Sequence, residues 1–208
     1  MSMAIIGAGN VGMALAGALT RAGRAVVIGV NQPEKYREAV EALGGQARID
    51  TVDAAIAGAT VVILAIPHSA VADLATRLSD WQGRILVDAT NPLAPGLAGL
   101  SVGTTTSGAE ELAKLARGAR VVKAFNTTGA ENMGNAAYPG GTPFMPVCGD
   151  DPDARAQVIE LAGLIGFDAV DCGALSAARY LEPFAMLWIH MAIKLGHGRR
   201  FAFARLQR

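Results

Sequence analysis

The chain has 208 residues, 51% hydrophobic and 17% charged, a core-rich composition that excludes a largely disordered protein. Eighteen basic residues balance eighteen acidic ones, which argues against a nucleic-acid or membrane-surface partner. Cys148 and Cys172 stand far apart, outside any C-x-x-C or zinc-type spacing, so buried free thiols in a reducing compartment are expected.

Met3-Ala4-Ile5-Ile6 is a short apolar run that leads straight into Gly7-Ala8-Gly9-Asn10-Val11-Gly12, and helix-forming residues follow. The spacing is G-x-G-x-x-G at a strand-to-helix junction. Gly7 permits the tight turn, Gly9 lets the backbone approach a pyrophosphate, and Gly12 allows close packing of the helix. The free N–H groups and positive end of that helix then face the phosphates. The pattern begins almost at the first residue and leaves no signal-peptide core ahead of it, so a cytoplasmic location is expected.

Residues 25–30 form a second apolar run, and 33–43 have helical character after the Asn31-Gln32-Pro33 turn. Residues 61–66 are continuously apolar, as in a strand buried on both faces. Further strands are expected at 85–88, 120–125 and 145–149, with helices at 69–78, 109–115 and 152–165. Residues 134–146 are rich in Gly and Pro and read as a loop over the sheet edge. Alternating strands and helices imply β-α-β units, hence an α/β, Rossmann-type, doubly wound parallel sheet over residues 1–172. Residues 173–208 form a C-terminal helical extension that is not an independent domain. Its stretch 175–195 is apolar nearly all round, which leaves burial within the chain and a homodimer contact both open. The most apolar part, 183–195, is interrupted by His190 and Lys194 and is too short to cross a bilayer. Arg199, Arg200, Arg205 and Arg208 read as a solvated helix face.

Ligands of doubly wound sheets lie beyond the carboxyl ends of the strands. Here those ends carry Pro67-His68-Ser69, Asp88-Ala89-Thr90-Asn91-Pro92-Leu93 and Asn126-Thr127-Thr128-Gly129. Hydroxyls, amides and one imidazole orient a nicotinamide ring but make no nucleophile–base pair. His68 is the candidate catalytic residue, as a proton donor or as a group packed on the cofactor. Asp88 serves loop hydrogen bonding or acid chemistry, and Lys123 a cleft or a salt bridge. His190 and His197 lack carboxylate or Cys partners nearby, so no metal site is expected. Fewer than 60 residues follow the run that ends near Cys148, little chain for a second catalytic domain. Without acid–base machinery, hydride transfer between two cofactors is favoured, because it needs ring alignment and water exclusion above all.

GAGNVG, AIPH at Ala65 to His68, DATNPL at Asp88 to Leu93, VVKAFNTTGAENM from Val121, PVCGDD from Pro146 and ARYLEP…W up to Trp188 resemble the deazaflavin-dependent NADP oxidoreductase family. Its members pass hydride between NADPH and a deazaflavin coenzyme (factor 420), and the cytosolic domains of the STEAP metalloreductases are similar. The resemblance implies that Gly9, Asn10 and Val11 hold the pyrophosphate, with Gly7 and Gly12 shaping the cofactor-binding turn around them. It places Ile66, Pro67 and His68 along the ribose–nicotinamide portion, and Asn126, Thr127 and Ala130 at the nicotinamide end, while Asn91 of the strand-end set is a further cofactor-binding candidate. Members with NADP preference carry an Arg after the second strand, where this chain has Val30-Asn31. Lys35 falls where a second phosphate-contacting Lys is expected, with Arg37 near. No acidic residue ends the strand to take a ribose 2′-OH, so NADP is favoured and NAD stays open. The reading is an NAD(P)H-dependent oxidoreductase with a deazaflavin or flavin as small-molecule hydride acceptor. Its alternatives are a carbonyl or imine reductase using His68 or Lys123 as proton donor, and a non-enzymatic dinucleotide sensor.

Overall fold

The computed structural model describes all 208 residues. Eight strands form one sheet: β1 (Met3–Ile6), β2 (Val26–Val30), β3 (Ala47–Thr51), β4 (Val61–Leu64), β5 (Ile85–Asp88), β6 (Arg120–Lys123), β7 (Phe144–Gly149) and β8 (Asp168–Asp171). The main helices are α1 (Asn10–Arg21), α2 (Arg37–Glu41), α3 (Val52–Ala57), α4 (Val71–Ala75), α5 (Gly108–Leu115), α6 (Ala130–Gly134), α7 (Pro152–Leu164) and α8 (Ala178–Ile189). The strand order is β3-β2-β1-β4-β5-β6-β7-β8. Chain direction through the sheet reverses between β1 and β4, which opens a crevice beyond their carboxyl ends.

Period-two alternation sorts the strand side chains onto two apolar faces. Ile5, Ile28, Ile63, Val87 and Val122 pack beneath Leu15 and Leu19 of α1 and Val158 and Leu161 of α7. Ala4, Ile6, Val62, Leu64 and Leu86 meet Ile56, Leu74, Leu112 and Leu181 of α3, α4, α5 and α8. The doubly wound architecture therefore stands, with one refinement at its edge. β7 pairs antiparallel with β6, and β8 runs parallel to β7, so the last two strands oppose the first six. The β6–β7 ladder is two pairs long, because β6 ends at Lys123 and the chain turns away at Phe125.

Several local expectations are corrected. The helix expected over 33–43 is a 3-10 turn, Pro33–Tyr36, followed by α2, and that over 69–78 is a turn, His68–Ala70, followed by α4. β4 stops at Leu64, which frees Ala65 to Pro67 as a loop. The Gly/Pro loop ends at Pro143, since β7 starts at Phe144. β3, α3, α6 and β8 carry no clear signature in the sequence. Cys148 is buried, whereas Cys172 is only half-buried.

The C-terminal extension buries one side of α8 through Leu181, Glu182, Ala185 and Trp188, while Tyr180 and Leu187 stay exposed. A π turn, His190–Lys194, follows, and glycines with positive φ at 196 and 198 end the helical path. His197 and the basic tail thus lie outside the helix. Arg199 instead pairs with Glu131 at 2.8 Å and Arg205 with Asp168 at 3.1 Å. The tail returns as a strap: the Phe201 ring stacks 5.3 Å from Trp188, and Phe144 N donates to Phe203 O at 2.8 Å. No helix is long and apolar enough to cross a membrane.

Candidate functional site

The three fingerprint glycines meet three different demands. Gly7 sits at φ +109°, and a Cβ there would collide with the Ala65 carbonyl. At Gly12 a Cβ would strike the carbonyl of Gly7, so the turn and the helix touch backbone to backbone. Beside Gly9 there is open space, with nothing within 4 Å of where its Cβ would be. α1 starts here with exposed Asn10 and half-buried Val11, without a side-chain cap or an acidic residue in its first turn. Its first N–H groups are available to an anion.

Gly7 and Gly9 line a cleft of about 570 Å³ at the crevice between β1 and β4. Asn31 and Lys35 line it from the β2 side, Ile66 and Pro67 from the β4 side. Four polar residues of the lining, Gln32, Tyr36, Asp73 and Arg77, were not anticipated. The signal available for the last two was their i, i+4 spacing in the stretch expected to be helical over 69–78, although α4 ends at Ala75 and Arg77 lies in the bend beyond it. Arg37 is not in the lining, since it is drawn into an exposed fork with Glu34 at 3.0 and 2.6 Å. Arg77 pairs with Asp53 at 3.1 Å, a contact open to solvent.

At the other end, the loops after β4, β5 and β6 converge. His68 Nδ1 lies 3.3 Å from Thr90 Oγ1. Asn91 Nδ2 donates to Asn126 O at 2.9 Å, and Asn126 Nδ2 returns a bond to Asn91 Oδ1 at 3.0 Å. The same Nδ2 also donates to Leu181 O at 3.3 Å, so two acceptors fix the orientation of the amide. Asn126 Oδ1 is left as a buried side-chain atom without a hydrogen-bond partner. Phe125, at φ +59°, makes the sharp turn off β6 that delivers Asn126 to this position. The Thr127 hydroxyl is buried and donates inward to Met145 Sδ at 3.8 Å. Ala130 opens α6 behind Gly129, again with no side-chain cap.

Lys123 does not reach the cleft. It is wholly buried and donates to Asp88 at 2.8 Å, Thr90 O at 2.7 Å and Glu182 at 2.9 Å. Burial alone would lower the affinity of its amine for a proton. The charges of Asp88 and Glu182 more than reverse this and hold the pKa above the ordinary lysine value. Asp88 also takes the loop role, accepting from Thr90 N at 2.9 Å. Burial pushes the Cys148 thiol up to about 12 and raises Cys172 as well, so neither is a nucleophile at neutral pH. No group of three or more His, Cys, Asp or Glu gathers to ligate a metal. Among His68, Asp88 and Lys123, the titratable residues of these strand ends, His68 alone stands outside the buried ionic network.

The family described as NADP oxidoreductase, coenzyme F420-dependent, matches residues 2–92, from β1 to the loop beyond Asn91. The F420-dependent NADP reductase of Methanothermobacter marburgensis is 33% identical over 212 residues, covering 93% of each chain. A solved Arthrobacter sp. FB24 protein, provisionally designated an F420-dependent NADP reductase, has a TM-score of 0.86 and 29% identity. That match covers 99% of this chain and 100% of the other. Metalloreductase STEAP3 of Rattus norvegicus is 30% identical over 88% of this chain, which spans only 36% of that protein. With near-complete mutual coverage, matching topology and the glycine cleft in place, the chain belongs to the coenzyme F420-dependent NADP oxidoreductase family.

Proposed function

We propose that the protein exchanges hydride between NADP(H) and a deazaflavin, with the dinucleotide lying from Lys35 past Gly9 to Asn126. The observation that carries this reading is the unpartnered Asn126 Oδ1, a buried acceptor at the strand ends. A buried acceptor without a donor costs roughly 1–3 kcal/mol, and a nicotinamide carboxamide N–H is a donor of the right kind. Open space at Gly9 and the uncapped start of α1 fit a pyrophosphate. Bound NADP(H) would supply the hydride. The chain's own part is to hold the ring and keep water away, and the lack of an acid–base pair supports a second ring cofactor as partner.

Mixing the protein with NADPH and oxidised deazaflavin should bleach the deazaflavin absorbance catalytically. If it does not, the acceptor is wrong. NADPH consumption with ketones or imines that disappears in His68→Ala would favour the small-substrate alternative instead.

Lys35 and Arg77 are the cations on the cleft lining, and they support NADP as the dinucleotide. Asn31 stands where a guanidinium would add a bidentate grip on the 2′-phosphate. Asn31→Arg should therefore raise the NADP-to-NAD affinity ratio by about tenfold, the equivalent of ~1.4 kcal/mol. Equal affinities before and after would show that Asn31 does not face the phosphate. A homodimer through α8 belongs to the same reading, because Tyr180, Pro183 and Leu187 leave one apolar side of that helix uncovered. A solution mass of one chain would remove it.

A further inference from the structure

Glu182 is a charged residue in an otherwise apolar stretch of α8, yet it is 1% exposed and both its carboxylate oxygens are engaged. Oε2 accepts from Gly108 N at 3.0 Å, while Oε1 accepts from Ala109 N at 3.2 Å and from Lys123 Nζ at 2.9 Å. Ser107 Oγ takes the next N–H, that of Glu110, at 3.1 Å. The free amides of the first turn of α5 are thus capped twice by a residue more than seventy positions away. Arg179, one turn earlier on α8, grips Glu110 with two bonds at 2.9 and 2.6 Å.

Two paths lead from this cap to the strand ends. The first runs through Gly108, where an added Cβ would lie 2.7 Å from His68 Cε1 and 3.3 Å from Glu182 Oε1. The imidazole therefore rests against the very backbone that Glu182 pins. The second runs through Lys123, whose ammonium also holds Thr90 O, while Thr90 Oγ1 meets His68 Nδ1. The neighbour of Glu182 acts on the other side of the site: Leu181 O fixes the Asn126 amide so that its Oδ1 is left free.

We infer that Leu181-Glu182 is a positioning element for the nicotinamide end, with Glu182 setting the His68 ring and Leu181 O setting the Asn126 amide. Neither residue touches the reacting atoms. The C-terminal extension is then a working part of the site, and its docking on α5 decides whether His68 and Asn126 present their faces correctly. This rests on the hydride-transfer reading for its kinetic arm only.

The test separates the two ends of the cleft. In Glu182→Gln, affinity for 2′,5′-ADP, which probes the adenosine half alone, should stay within about twofold of wild type. The kcat of NADPH oxidation should fall about tenfold or more, because small displacements of aligned groups are costly. The ring ¹⁵N signals of His68, assigned with His68→Ala, should shift or split. A folded Glu182→Gln protein with wild-type His68 signals and wild-type kcat overturns the inference. Thr90→Val cuts one path without removing a buried charge and serves as the second variant where Glu182→Gln does not fold. It should perturb the same His68 signals, and Thr90→Ser should restore them; unperturbed signals in Thr90→Val overturn the relay. The spectra need no acceptor, so a wild-type protein inactive with deazaflavin would sink the proposed function and leave the positioning of His68 untouched.

Discussion

Lys123→Met is expected to cost about 3–5 kcal/mol of folding stability, a large share of the ~5–15 kcal/mol available to a domain. The change leaves Asp88 and Glu182, each 1% exposed or less at the side chain, without their shared cation. Thr90 O loses its donor at the same time. Urea unfolding at neutral pH gives the measurement, and a midpoint equal to wild type would contradict the buried network. Adding Asp88→Asn should recover part of the loss, because one uncompensated charge is removed. The pH dependence has a defined sign. Burial lowers the Lys123 pKa, Asp88 and Glu182 more than offset it, and the net value is raised. A raised folded-state pKa contributes stability that is complete below the unfolded lysine value of about 10.4. It is lost as pH climbs through the folded value. Wild-type stability should therefore decline at strongly alkaline pH by a component that Lys123→Met lacks.

Gly12→Ala should abolish dinucleotide binding and lower stability by roughly 1–3 kcal/mol, since the new methyl must displace the Gly7 carbonyl. Gly7 cannot give way cheaply, being held at φ +109° against Ala65. Gly9→Ala is the informative contrast. Its backbone, at φ −77°, suits any residue, and its methyl would meet no protein atom. The melting temperature should hold while NADPH affinity falls, because the methyl occupies the face the pyrophosphate needs. NADPH fluorescence titration and thermal unfolding on both variants read the two effects separately. Equal NADPH affinity in Gly9→Ala and wild type would mean that the phosphates lie elsewhere.

Inner strands were legible because burial on both faces demands continuous apolar runs, as in Val61-Val62-Ile63-Leu64. Edge strands follow no such rule. β3 carries Arg48 and Asp50 and is partly exposed throughout, and β8 begins and ends in Asp, so neither stands out as an apolar run. α6, five residues between Gly129 and Asn135, is too short to show a helical period. The glycine turn of the cleft is encoded within one contiguous motif and could be read directly. The other end is assembled from distant pieces. Asp88 and Lys123 are direct partners across β5 and β6, and pairing those two strands would have brought the charges together. Glu182 gave only a faint hint, a carboxylate inside an apolar helix. The Gly196-His197-Gly198 stop was also present, and it separates α8 from the tail that folds back over it.

The 74-residue interval between Gly108 and Glu182 has a consequence for the order of events at the ribosome. Protein segments fold as they emerge, amino-terminal parts first. β1, α1 and β2 present the glycine turn early, and β5 and β6 can bring Asp88 and Lys123 together soon after. α5 then waits with its first amides bare until the segment bearing Glu182 has been made. A nascent chain stalled before α8 would hold a formed glycine turn beside an Asn126 amide and a Gly108 backbone that are not yet fixed.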